Sequence, residues 1–102
     1  MVAEARDRLA EYGVARGDRR TAIGLYRSNI EMLSESAGPR DKAMLAADYG
    51  ALGALLAPSD PAAAKTCYQK GADVWEALWN ARQLPAEYAG KSALLRRAAA
   101  KL

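Results

Sequence analysis

The chain has 102 residues, of which 51% are hydrophobic and 26% charged, a balance typical of one globular domain rather than of a disordered segment. The formal net charge is +3, and no apolar run approaches the roughly 18 residues of a membrane span, so we expect no membrane association and a cytoplasmic location. Histidine is absent and Cys67 is the single cysteine, which excludes an internal disulfide and removes the usual catalytic base and metal ligand.

Apolar residues recur at helical spacing along the whole chain, and no stretch alternates as a strand would. This period predicts an all-α fold of five helices, covering residues 2–16, 19–36, 40–57, 61–82 and 85–102. Asp18 and Asp60 stand where their side chains accept the free amides of the helices that follow. Pro61 suits the first position of a helix, and the Gly38-Pro39 pair separates the second helix from the third.

The second and fourth helices are similar in sequence. Three pairs of residues are each 42 positions apart: Asp18 with Asp60, Ala22 with Ala64, and Tyr26 with Tyr68. Leu9 in the first helix precedes Leu52 in the third by 43 positions. The chain therefore reads as one domain made of two helix-turn-helix units, residues 1–38 and 39–82, followed by a capping helix over 85–102.

The second unit carries a nameable pattern. Tyr49-x2-Leu52-Gly53-x2-Leu56, a short turn and then Ala64-x3-Tyr68 resemble the W-x2-L-G-x2-Y and A-x3-F pattern of the tetratricopeptide repeat. The first unit matches less closely, since Arg6 stands where an aromatic is expected and Ala10 replaces glycine. The 42-residue period resembles that of the long-helix repeats of bacterial signalling proteins. The residues from Cys67 onward resemble the end of tetratricopeptide regions that follow bacterial kinase or cyclase domains.

The resemblance implies a set of residues that pack the paired helices together. Gly53 and Ala64 would let two helices approach closely, while aromatic and leucine side chains fill the space around them. The expected packing residues are Leu9, Ala22, Tyr26, Tyr49, Leu52, Gly53, Leu56, Ala64, Tyr68 and Trp75.

No residue pattern predicts catalysis, a metal or a cofactor. Cys67 has no histidine partner and falls on a packed face, and the glycines of GxxG at 50–53 lie inside a helix. Glu4, Asp7 and Glu11 share one face of the first helix, where a solvated acidic surface is a better interpretation than a cation site. We therefore expect a chain that is not an enzyme.

The resemblance also implies a concave groove lined by the first helix of each unit. The groove positions are Glu4, Asp7, Glu11 and Val14 in the first unit, and Ala47, Gly50 and Ala54 in the second. Members of the family that hold the acidic tails of heat-shock chaperones use lysine, asparagine and arginine there, so that activity does not carry over. A basic or apolar segment of a protein partner would fit these residues better.

Three functions follow, in order of preference. The first is a scaffold module that binds a peptide or protein segment, with Trp79 either packed at the rim or serving as a docking anchor. The second is self-association into a homo-oligomer, because the chain begins at Met1 inside a helical pattern without a capping residue and this open end could pair with another copy. The preferred explanation of the same open end is that the chain is the C-terminal fragment of a larger protein. The third is binding of nucleic acid or an anionic surface by residues 82–102, which contain five basic side chains and a single acidic one, Glu87.

Overall fold

The computed structural model describes residues 17–36, 38–84 and 86–102. These residues contain four α-helices and no strand: α1 Arg19–Leu33, α2 Pro39–Leu56, α3 Pro61–Asn80 and α4 Lys91–Ala100, with a turn of 3-10 helix at Ala86–Tyr88. The all-α prediction is thereby confirmed for the described part of the chain. The predicted helix over residues 2–16 lies outside it, so four helices are described where the sequence predicts five.

Helices α1 and α3 begin in the same way. The carboxylate of Asp18 accepts the backbone N–H of Thr21, and that of Asp60 accepts the N–H of Ala63, each at 3.2 Å. Pro61 follows Asp60 at the start of α3, where a missing N–H costs nothing. The two predicted N-caps, 42 residues apart, are therefore confirmed in the structure.

Helix α2 lies antiparallel to both of its neighbours. On one side, Ala22 and Tyr26 near the start of α1 pack with Leu52 and Leu56 near the end of α2. Leu33 at the other end of α1 packs with Leu45. Along α3, Ala64 joins the first of these clusters, whereas Trp75 and Leu78 pack with Ala46. The core thus runs along both faces of α2.

Two glycines allow the closest approaches between helices. A Cβ atom on Gly53 of α2 would lie 2.9 Å from the Tyr68 ring of α3. A Cβ on Gly71 would lie 3.1 Å from the backbone oxygen of Ala46 and 2.8 Å from a methyl of Leu95. Of the ten expected packing residues, seven are buried and Tyr49 and Tyr68 are half-buried, while Leu9 lies outside the described residues.

Two polar side chains are buried along the contact between α1 and α2. Asn29 lies on α1 between Tyr26 and Leu33, and Asp48 lies on α2 between Leu45 and Leu52. The antiparallel register of the leucines places the two polar residues at the same level of the contact. Both have interaction partners in the chain, as burial of polar groups requires.

The C-terminal region corrects the sequence prediction. A single helix over 85–102 was expected, but the 3-10 turn ends at Tyr88 and α4 begins at Lys91, after a turn at Ala89 and Gly90. The apolar spacing of this region predicts that Tyr88, Leu95, Ala98 and Leu102 face inward, but Leu102 is 44% exposed, whereas Ala99 is buried. Tyr88, at the end of the 3-10 turn that precedes this break, stacks on Trp75 of α3.

Helix α1 ends at Leu33 rather than Ser36, and α3 ends at Asn80 rather than Arg82. At the end of α3 the N–H of Arg82 donates to the carbonyl of Trp79 and the N–H of Gln83 donates to that of Leu78, both at 2.9 Å. This is a Schellman motif, with Arg82 in the left-handed position at φ 57°. The sequence did not reveal it because glycine is the usual residue there.

Candidate functional site

Two neighbouring cavities open on the surface around the C-terminal end of α3. The larger, the α2–α3 cavity, has a volume of about 440 Å³ and lies between the first half of α2, the end of α3 and the 3-10 turn. It is lined by Pro39, Arg40, Ala43, Met44, Ala47, Trp75, Gln83, Leu84 and Tyr88. The smaller, the C-cap cavity, has a volume of about 360 Å³ and is lined by Trp79, Asn80, Arg82 and Leu84. Leu84 lines both cavities, so they adjoin at this residue.

A pair of aromatic side chains forms the fixed wall of the α2–α3 cavity. The rings of Trp75 and Tyr88 are stacked with their centroids 5.7 Å apart and their planes 15° from parallel. Trp75 is buried, and the Lys91 ammonium lies 5.9 Å from the centroid of the Tyr88 ring. Stacking and cation–π attraction hold the 3-10 turn against α3, which keeps the cavity preformed.

The opposite wall is made of small and flexible side chains. Ala47 is exposed on the first half of α2, whereas Ala43 and Met44 are half-buried there. Alanine leaves room for a ligand, and the unbranched methionine side chain adapts to different shapes. A rigid aromatic wall facing a small, adaptable one suits the side chains of a bound peptide.

The charge of the surface is positive. Arg40 lines the α2–α3 cavity and Arg82 lines the C-cap cavity, and no aspartate or glutamate is among the described lining residues of either. Arg40 also has an interaction within the chain. The neighbouring Glu87 is exposed on the 3-10 turn and lines neither cavity.

The structure separates the predicted groove residues of the second unit. Ala47 lines the α2–α3 cavity and Ala54 is exposed two turns further along α2. Gly50, between them, is half-buried, and a Cβ there would lie 3.2 Å from a methyl of Leu95 on α4. Helix α4 thus covers the middle of the predicted concave groove. Glu4, Asp7, Glu11 and Val14 lie outside the described residues.

Several residues of this surface were not singled out from the sequence. Met44 directly precedes the predicted core residue Leu45, and Leu84 falls in the break between the predicted helices 61–82 and 85–102. Arg82 was noted only as one of the basic side chains of residues 82–102. Tyr88 was expected only as an inward residue of the last helix. Trp79, for which a docking role was one interpretation, is 45% exposed beside Arg82.

Cys67 lies away from both cavities and its environment does not activate it. The thiol is half-buried, and this burial raises its pKa despite the opposing effect of Lys70 and Arg27. Burial also raises the pKa of the neighbouring Tyr68, with a further rise from the charge of a Cys67 thiolate. A thiol with a raised pKa stays protonated at neutral pH and is a poor nucleophile.

Exposed ion pairs connect Arg96 of α4 with two carboxylates of α3. The Arg96 guanidinium donates to Asp73 at 3.0 Å and also to Glu76. These hydrogen bonds raise the pKa of Arg96, which stays charged throughout the accessible pH range. Within the described ranges no three histidine, cysteine, aspartate or glutamate side chains converge on a point where a metal could bind.

The fold and this surface define a small all-α protein with an open, apolar and positively charged cleft. Comparison with family models, curated proteins and solved structures finds no match for the chain. In the described part of the molecule, none of the helices combines the length and the hydrophobicity needed to cross a membrane.

Proposed function

We propose that the chain is a non-catalytic interaction module that holds a segment of another protein in the α2–α3 cavity. The observation that carries the proposal is the cavity itself, which is open, preformed and walled by Trp75, Tyr88 and Met44. Side chains of this kind are enriched where proteins bind partners. The tetratricopeptide resemblance, with its long-helix bacterial signalling variant, supports the same function.

Ala47 connects the sequence prediction with the cavity. It is one of the groove positions implied by the resemblance, and it lines the α2–α3 cavity opposite the aromatic pair. Because it is exposed on a helix, a larger side chain at this position would fill the cavity without disturbing the core.

The test is a selection of peptides from a phage-displayed random library on the full 102-residue chain. We expect enriched peptides whose binding to Ala47→Trp is at least about tenfold weaker than to the unmodified chain, a loss of about 1.4 kcal/mol or more. Ala62→Trp is the matched control, because Ala62 is also an exposed helical alanine and lines neither cavity.

Three results would contradict the proposal: no enrichment, equal binding to Ala47→Trp, or equal losses in both variants. Ala54→Trp measures how far the binding surface extends along α2, because Ala54 is the predicted groove residue beyond Gly50. Self-association through the N-terminal residues is the alternative sequence prediction, and those residues lie outside the described part of the chain.

A further inference from the structure

We propose that the bound protein segment carries a carboxylate, from an aspartate, a glutamate or a chain terminus, next to the apolar side chains that fill the cavity. The carboxylate binds to Arg82 in the C-cap cavity, while the apolar part lies against Leu84, Met44 and the aromatic wall. This inference rests on the proposed function and gives the chemical class of its partner.

Charge complementarity is the first argument. Arg82 is exposed at the C-cap cavity, and no described residue that lines either cavity is acidic. Arg82 forms no ion pair with a carboxylate of the described residues, whereas Arg96 pairs with Asp73 and Glu76. A carboxylate is the protein group that a guanidinium binds best, through two parallel hydrogen bonds.

The conformation of Arg82 is the second argument. It occupies the left-handed C′ position of a Schellman motif, at φ 57°, where glycine carries no steric penalty. An arginine there costs stability that glycine would not. Its side chain lies with Trp79, Asn80 and Leu84 around the cavity, so a binding role explains what helix capping alone does not.

The shape and chemistry of the surface favour a protein segment over a nucleic acid. Trp75 is buried and stacked on Tyr88, so this aromatic pair is already engaged and does not offer an open platform for bases. Two arginines among the lining residues are few for a phosphate backbone. The apolar walls of Met44 and Leu84 suit aliphatic or aromatic side chains.

The experiment uses the peptides selected above, synthesised in an acidic form and in a form with every Asp and Glu replaced by Asn and Gln and the C-terminus amidated. Binding to the full chain is measured through the fluorescence of Trp75 and Trp79, the two tryptophans of the chain, which line the two cavities. We expect the neutral form to bind at least about tenfold more weakly than the acidic one.

Arg82→Gly separates binding from stability. Glycine relieves the left-handed conformation, so we expect a Tm at or above that of the unmodified chain together with about tenfold weaker binding of the acidic peptide. Arg82→Lys should retain part of the affinity because the charge remains. In a double cycle, neutralising the peptide should cost little further affinity once Arg82 is glycine.

Equal binding of the acidic and neutral peptides, with Ala47→Trp still blocking both, would overturn this inference and leave the proposed function intact. Failure of Ala47→Trp to block any peptide would instead overturn the proposed function. Binding of DNA or of phosphatidylserine vesicles that Arg82→Gly abolishes, with no acidic peptide bound, would also overturn the inference, in favour of a different class of partner.

Discussion

Glycine residues set the distance between the helices of this protein. Gly71 of α3 lies against the backbone of Ala46 on α2 and against Leu95 on α4, so three helices meet at one position without a side chain. Gly53 of α2 likewise leaves space for the ring of Tyr68 on α3. By contrast, nothing lies within 4 Å of a Cβ built on Gly24, which is an exposed residue inside α1.

Replacing Gly71 by alanine should therefore destabilise the fold. Alanine favours the helix by up to about 1 kcal/mol, but the added methyl overpacks the contact at a typical cost of about 1–3 kcal/mol. We expect a net loss of about 1–2 kcal/mol in the free energy of unfolding, measured by urea titration and circular dichroism.

Gly24→Ala is the matched control for this prediction. It gains the same helix propensity with no contact to disturb, so it should raise the free energy of unfolding by about 0.5–1 kcal/mol. If Gly71→Ala stabilised the protein as much as Gly24→Ala does, the close approach of the three helices would be disproved.

At the scale of the helix, Asp60 determines where α3 begins. Its carboxylate accepts the N–H of Ala63, and Pro61 fixes the first helical turn. Asp60→Ala removes the acceptor and should lower the free energy of unfolding by about 1 kcal/mol, whereas Asp60→Asn keeps an acceptor and should stay near the unmodified chain. Equal losses in both variants would indicate that the cap is not what stabilises this end.

The C-terminal region is attached to α3 by an aromatic contact. Tyr88→Ala removes the ring that stacks on Trp75, and aromatic pairs contribute about 0.5–1.5 kcal/mol beyond the area they bury. We expect a loss of at least that size in the free energy of unfolding, together with a change in Trp75 fluorescence as the α2–α3 cavity loses its wall.

Tyr88→Phe is the control for the aromatic contact. It keeps the ring and removes only the hydroxyl, so its stability and fluorescence should remain close to those of the unmodified chain. A Phe variant as unstable as the Ala variant would show that the hydroxyl, and not the stacking, holds the turn.

At the scale of the whole molecule, the packing of α1, α2 and α3 should make the free energy of unfolding fall as the pH becomes alkaline. Burial raises the pKa of Cys67 and of Tyr68, which touch the core cluster formed by these three helices. The folded state therefore holds both protons more tightly than the unfolded chain does. The stability that comes from this tighter proton binding is fully present at neutral pH. It is lost as the pH rises past the ordinary pKa of a thiol, about 8.5, and then past that of a phenol, about 10.

Cys67→Ser and Tyr68→Phe divide this loss between the two groups. We expect the free energy of unfolding of each variant to fall less between pH 7 and pH 11 than that of the unmodified chain, as measured by urea titration. For the serine variant the difference should begin near pH 8.5, and for the phenylalanine variant about 1.5 pH units higher. Parallel pH profiles in all three proteins would contradict the raised pKa values.

The periodicity and capping residues were sufficient to predict α1, α2 and α3, but not the break between the 3-10 turn and α4. Spacing of apolar residues gave the positions of α1, α2 and α3, and Asp18, Asp60 and Pro61 gave two of their starts. These signals act within one or two turns, so they can be read without knowing what lies opposite. They failed near Arg82 and Tyr88, where backbone geometry depends on contacts with other parts of the chain.

The sequence by itself determined an all-α protein with well-marked helix starts, and the resemblance predicted Ala47 as a groove position. Only the tertiary structure decided that Leu95 of α4 lies against Gly50 and that Tyr88 stacks on Trp75. It also decided that Arg82 and Leu84 line the same cavity. The physical reason is range. Helix formation is governed by neighbours three or four residues apart, whereas a cavity is formed by residues far apart in the chain, whose meeting depends on the register and angle of whole helices.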